Sequence, residues 1–135
     1  MLAPGRLPLT AKLRLAVEVT TTYAVARRAM KRHDLPTSIE RLRALPCRRP
    51  HVASYHEGLR LGRAVASTLR VLPADSRCLM QSLVLTGLLA RRGIDSTLVI
   101  GVRPGETFGA HAWVELQGYP LLPPMEQQFT RLVDL

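Results

Sequence analysis

The order of periodicities along this 135-residue chain predicts an α+β domain, with helices first and a small antiparallel sheet after them. Three observations carry the expectation. Up to Gly93, apolar residues recur at helical spacing between proline and cap residues. From Ser96 onward, a β-branched run and then strict alternation take over. The longest apolar run lies in the last helical segment, where a helix covering the sheet belongs.

The elements follow in order. Residues 1–9, with Pro4, Gly5 and Pro8, read as a loose leader. Thr10 is the expected cap of a helix over 11–31, with Leu13, Ala16, Val17, Val19, Tyr23, Ala24, Ala26 and Met30 as its apolar stripe. Leu35-Pro36 stops it. Thr37 or Ser38, with Glu40 following, starts a short helix to about Leu45. PCRRP, from Pro46 to Pro50, is the linker. A third helix is expected over 52–72, with Val52, Tyr55, Leu59, Val65 and Leu69 on one side and Pro73 as its stop.

The fourth helix is DSRCLMQSLVLTGLLARRG. Asp75 or Ser76 caps it, Arg91 and Arg92 lie in its last turn, and Gly93 stands at the C′ position. STLVIGV, from Ser96 to Val102, suits a strand. RPGE is a turn. GAHAWVELQG alternates, with His111, Trp113 and Glu115 on one face and Ala112, Val114 and Leu116 on the other. QGYP turns the chain, LLPP is short enough only for an edge, and FTRLVDL forms a last strand. Residues 1–50 are then a helical docking region that does not fold alone, and 51–135 the core, within one structural domain.

Composition bounds the function. The chain is 47% hydrophobic but 4% aromatic, so its core is built mainly from Leu, Val and Ala. Two cysteines make no disulfide scaffold. Lys12, Arg14 and Glu18 interrupt any secretory signal, and Gln81, Ser82 and Thr86 break an apolar run already short of the ~20 residues a membrane span needs. The expectation is a cytoplasmic protein with free thiols and no membrane insertion. The net charge of +9 is local: residues 1–70 carry 14 Lys and Arg against 4 Asp and Glu. Such a half suits an acidic partner, a nucleic acid or a membrane surface. The motifs and aromatic platforms of nucleic-acid modules are missing, so no nucleic acid is expected. Arg27, Arg28, Lys31 and Arg32 cover a solvated helix face or dock an acidic peptide.

Two residues stand out chemically. Cys78 falls in the first turn of its helix, where free N–H groups, the helix dipole and Arg77 favour a thiolate. His111 shares a strand face with Trp113; if that face packs on the Cys78 helix, imidazole and thiol meet. Taken singly, each reads more simply as core. Gln81 and Ser82 share the helical face of Cys78, and Gln81 with the Cys78 N–H is a candidate oxyanion donor or a locally bonded polar residue. Trp113 walls a cleft or fills the core. Cys47, His51 and His56 make no metal site: five residues apart on a helix, the histidines diverge by about 140°. No metal or cofactor is expected.

Together the words CLMQSLVLTGLLARRGIDSTLVIGV and FGAHAWVE resemble the transglutaminase-like cysteine-hydrolase superfamily. The resemblance runs densest from Leu69 to Glu115. Within the superfamily the sequence is most similar to the stand-alone leader peptidases of lasso-peptide biosynthesis. That likeness implies a transglutaminase-like, papain-like core with Cys78 as nucleophile and His111 as base. It implies a precursor peptide as substrate, a small leader-recognition protein, and an ATP-using, asparagine-synthetase-like cyclase as partners. One position departs from the pattern: where the family commonly has an Asp on the following strand, the chain has Pro123 within YPLLPPMEQQ. Glu115 lies four strand residues from His111, ~13 Å away. Glu126 folding back after the prolines, or a carbonyl near Leu122, is the candidate orienter. A non-catalytic peptide-binding module on the same fold is the alternative, and a basic nucleic-acid binder a more distant one.

Overall fold

The computed structural model describes residues 8–47, 55–71, 74–103, 109–121 and 130–135. Four helices come first: α1 (Leu9–Arg32), α2 (Leu35–Arg43), α3 (Tyr55–Thr68) and α4 (Ala74–Ala90). Four strands follow: β1 (Thr97–Arg103), β2 (Gly109–Leu116), β3 (Tyr119–Pro120) and β4 (Thr130–Asp134). The strands form one antiparallel sheet in the order β3-β2-β1-β4. The fold is α+β, with α4 against β2 and the other helices wrapped around α4. The expected leader falls almost wholly outside the described residues, as do Arg48 to Pro50 of the linker and Val52.

The buried face of α1 is Val19, Thr22, Ala26 and Ala29, while Leu13 and Val17 of the expected stripe are exposed. The reason is close approach. A Cβ on Gly87 of α4 would lie 2.7 Å from Thr22 Cγ2, so only small residues fit at this crossing. Thr10 is not the cap; the Pro8 carbonyl accepts the first ladder bond, from Lys12 N, two residues earlier. α2 likewise begins before Thr37. Its cap is Asp34, whose carboxylate accepts from Thr37 N at 2.9 Å, and Pro36 sits in its first turn, where a missing N–H costs nothing. α3 ends at Thr68, four residues short of the expected end, and its buried side is Gly58, Leu61, Gly62 and Val65.

α4 is buried on nearly every side through Leu83, Val84, Leu85, Leu88 and Leu89. Each such side chain contributes about 1.5–3 kcal/mol relative to exposure. A helix surrounded by core cannot leave polar groups loose. Ser82 Oγ donates to the Cys78 carbonyl and Thr86 Oγ1 to the Ser82 carbonyl, both at 2.8 Å. Its C-terminus closes as the sequence indicates. Gly93 has φ +70°, Ile94 N donates to Leu89 O at 2.9 Å and Gly93 N to Ala90 O at 3.0 Å. Arg92, beside this cap, forks onto Glu18 of α1 at 2.7 and 3.0 Å. α1 and α4 therefore run antiparallel, Glu18 level with Arg92 and Thr22 level with Gly87.

In the sheet, Gln117 (φ 53°) and Gly118 (φ 85°) alone make the β2–β3 turn, two residues in the left-handed region as a tight hairpin requires. Tyr119-Pro120, expected in the turn, is instead the short edge strand. Arg43 of α2 donates to the Ser96 and Leu135 carbonyls at 2.7 Å, tying β4 to the helical layer. Among the described residues no helix is long and apolar enough to cross a membrane.

Gly87→Ala is expected to force α1 off α4 and to destabilise the fold by about 1–3 kcal/mol. Urea unfolding followed by circular dichroism measures this; an unchanged midpoint would contradict the close crossing.

Candidate active site

The two faces of β2 have different neighbours. Val114 and Leu116 join the core that α4 fills, together with Leu98 of β1. His111, Trp113 and Glu115 lie on the other face. Alternation permits only one face of the strand to meet α4, and the apolar one does. Imidazole and thiol meet all the same, at the edge of the strand.

That edge is defined by hydrogen bonds. Val114 O accepts from Leu121 N at 2.8 Å, on the side away from β1, and β3 pairs only with Glu115 and Leu116. Ala112, two residues before Val114, points its N–H to the same edge, beyond the end of β3. The Cys78 sulfur accepts from that N–H and is hydrogen-bonded to the His111 imidazole. The sulfur therefore sits where a strand would otherwise pair, and a half-buried thiol at the end of a buried helix reaches the outer face of the sheet.

These contacts set the thiol's acidity. It is held below its ordinary value first by the hydrogen bond with His111. Partial burial opposes this; the N–H of Ala112, the charge of His111 and the N–H of Leu79 reinforce it. The Leu79 N–H is the helix's own contribution. α4 begins at Ala74, so Asp75 and Ser76 are its second and third residues rather than caps, and Cys78 is the fifth. Its own N–H falls within the helical ladder rather than among the free N–H groups of the first turn. Gln81 is half-buried one turn on and makes no hydrogen bond among the described residues. Ser82 is committed to the Cys78 carbonyl.

His111 is held from the side. Its ring stacks on Trp113 with centroids 6.0 Å apart and planes at 23°, and its Nε2 is shielded from solvent. Trp113 leans over Gly101, the β1 residue opposite His111; a Cβ there would stand 2.8 Å from Cη2 of the indole. Indole Nε1 donates to Glu115 Oε2 at 2.8 Å. Glu115 is only 6% exposed, and Arg131 of β4 donates through one nitrogen to both its oxygens at 2.9 and 3.0 Å. Asp134 in turn accepts from Arg131 at 3.0 Å. Trp113 is half-buried and stacked on the imidazole. Glu126 and Leu122, the candidate orienters, lie outside the described residues.

Three contributors escaped the sequence reading. Gly101 carried a signal, a glycine inside a β-branched run, which marks close approach in a strand. Arg131 and the Ala112 N–H carried none, because their roles come from register. Cys47 is exposed and stands against Gly93 rather than near Cys78.

The family model described as the transglutaminase-like superfamily matches residues 15–134 of the chain. No curated protein and no solved structure shows a significant match to it.

A thiol with a depressed pKa is ionised over a window where an ordinary thiol is not, so its reactivity extends to lower pH. Iodoacetamide labelling, followed peptide by peptide, is expected to place the Cys78 midpoint in the folded protein below that in urea. His111→Ala should move the folded midpoint upward and slow labelling at neutral pH, while the exposed Cys47 is unaffected. A Cys78 midpoint indifferent to His111 would contradict the pairing.

Proposed function

The chain belongs to the transglutaminase-like superfamily, and within it we propose a cysteine peptidase that removes the leader from a ribosomally made lasso-type precursor peptide. The observation that carries the reading is the Cys78 sulfur, hydrogen-bonded to the His111 imidazole and to the Ala112 N–H at the edge of β2. The order of CLMQSLVLTGLLARRG, LVIGV and AHAWVE, and its likeness to the leader peptidases, supports the specific substrate class.

In the proposed reaction the imidazole takes the thiol proton, and the thiolate attacks the scissile carbonyl carbon. The C–N bond breaks as the imidazolium gives that proton to the leaving amine, which leaves a thioester on Cys78. Water then attacks the thioester, the imidazole removing its proton. Collapse expels the sulfur, which regains a proton from the ring and frees the carboxylate of the leader. No cofactor enters this sequence. The partners are the precursor, a leader-recognition protein and the cyclase that consumes the freed core peptide. Two free cysteines suit the cytoplasm as its place.

The outer face of α1 supports a peptide substrate. Arg27, Arg28, Lys31 and Arg32 line a shallow groove floored by Tyr23 and Ala24. Among the described residues none of the four makes an ion pair. The antiparallel pairing of α1 and α4 brings these cations level with the thiol. Lys31 lies nine residues past Thr22, and Cys78 nine residues before Gly87, about 13 Å along each axis. An acidic segment of the leader on this face would lie at the catalytic end of the molecule.

Purified protein, precursor and recognition protein should give a leader-sized fragment by mass spectrometry. Cys78→Ala should abolish it, and His111→Ala should lower kcat by about 10²–10⁴-fold. If Cys78→Ala cleaves as fast as the parent, the reading fails. Specific peptide binding with no cleavage by the parent would favour a non-catalytic peptide-binding module. Replacing Arg27, Arg28 and Lys31 by Glu should raise KM and reduce its sensitivity to salt, with kcat little changed. An unaltered KM would remove α1 from the binding surface.

A further inference from the structure

A histidine on a strand keeps two rotatable bonds, and one hydrogen bond to a sulfur does not fix the plane of its ring. In this fold the plane is fixed by a neighbour. Residues two apart on a strand stand ~6.8 Å apart on the same face, so an indole at position 113 does not lie against an imidazole at 111 without tilting toward it. Two features produce the tilt. Gly101 leaves empty the space the indole occupies, and Glu115 draws Nε1–H outward to 2.8 Å.

The carboxylate that does this is buried, which is costly unless it is charge-paired. Arg131 supplies the pair and is itself held by Asp134. The chain of contacts crosses the sheet from β2 over β1 to β4. Packing alone would be served at lower cost by an apolar side chain at position 115.

We infer that Trp113, Glu115 and Arg131 are positioning residues: the indole is the surface that holds the His111 imidazole toward the Cys78 sulfur, and the carboxylate and guanidinium hold the indole. The peptidase reading supplies only what the imidazole does in catalysis. Where the imidazole stands follows from these contacts, and is tested without substrate.

The test compares Glu115→Leu, Glu115→Gln and Trp113→Leu with the parent, each first shown to unfold cooperatively. Labelling of Cys78 by iodoacetamide across pH reads the thiol–imidazole pairing in the absence of any peptide. Glu115→Leu and Trp113→Leu should move the labelling midpoint upward by about one unit. Glu115→Gln, which keeps an oxygen for the indole N–H, should restore most of the parent profile. With the precursor present, Glu115→Leu should lower kcat about 10- to 100-fold with KM little changed. The protein's single tryptophan gives a second reading, since the indole emission should shift to the red in Glu115→Leu but not in Glu115→Gln.

Folded Glu115→Leu and Trp113→Leu proteins with the parent's labelling profile would overturn the inference. So would a Glu115→Gln protein no closer to the parent than Glu115→Leu. Should Glu115→Leu fail to fold, Trp113→Phe, which keeps a ring but loses the N–H, reads the same profile, and an unshifted midpoint would overturn the role of the Nε1–Glu115 bond. A parent that labels as described but cleaves no precursor would sink the peptidase reading and leave this one standing.

Discussion

One backbone donor organises the site. Ala112 is buried, and its N–H faces the edge of β2 beyond the two-residue reach of β3. A buried N–H without a partner costs about 1–3 kcal/mol. The fold satisfies this one with the sulfur of Cys78. That choice places an acidified thiol beside the edge and requires Cys78, the fifth residue of α4, to stand at the level of Ala112.

Two layers deliver the thiol and the imidazole to that point. The helical layer delivers the sulfur. α4 is gripped by α1, α2 and α3, its C-terminus is closed by Gly93 and pinned by Arg92 to Glu18, and Ser82 locks the turn carrying the Cys78 carbonyl. The outer face of the sheet delivers the imidazole through Trp113, Glu115 and Arg131. The core between the layers is apolar and dense, so neither layer can shift without the other. The pairing of Cys78 and His111 is therefore set by the register of β2 against α4 rather than by either side chain.

Much of this was legible in the order of elements. The four helices, the alternation of GAHAWVEL, the Gly93 stop and the last strand each follow from a local signal strong enough to survive packing. Cys78 and His111 stood out because two weak signals fell into one familiar order, and the fold brings the two side chains together. What was illegible depended on distances between elements. The inward face of α1 is set by how closely it approaches Gly87, so small residues face inward and Leu13 and Val17 do not. The face of β2 that meets α4 is set by which residues are apolar enough to be buried entirely, and His111 reaches the thiol at the edge of the strand. The link from Glu115 to Arg131 spans 16 residues and a strand in between. No periodicity within a segment reports it.

The acidity of the thiol also ties the site to the stability of the fold. Its folded pKa is lowered, so between that value and the ordinary thiol value the folded chain binds fewer protons than the unfolded one. The contribution is present in full above the ordinary value and is lost as pH falls through the folded one. The donors responsible, His111 first and then the Ala112 N–H, are the contacts that organise the site. A structural cysteine gains nothing from such donors, since a neutral thiol in an apolar pocket is its lowest-energy state. A sulfur hydrogen-bonded to a strand N–H and an imidazole is stabilised as an anion.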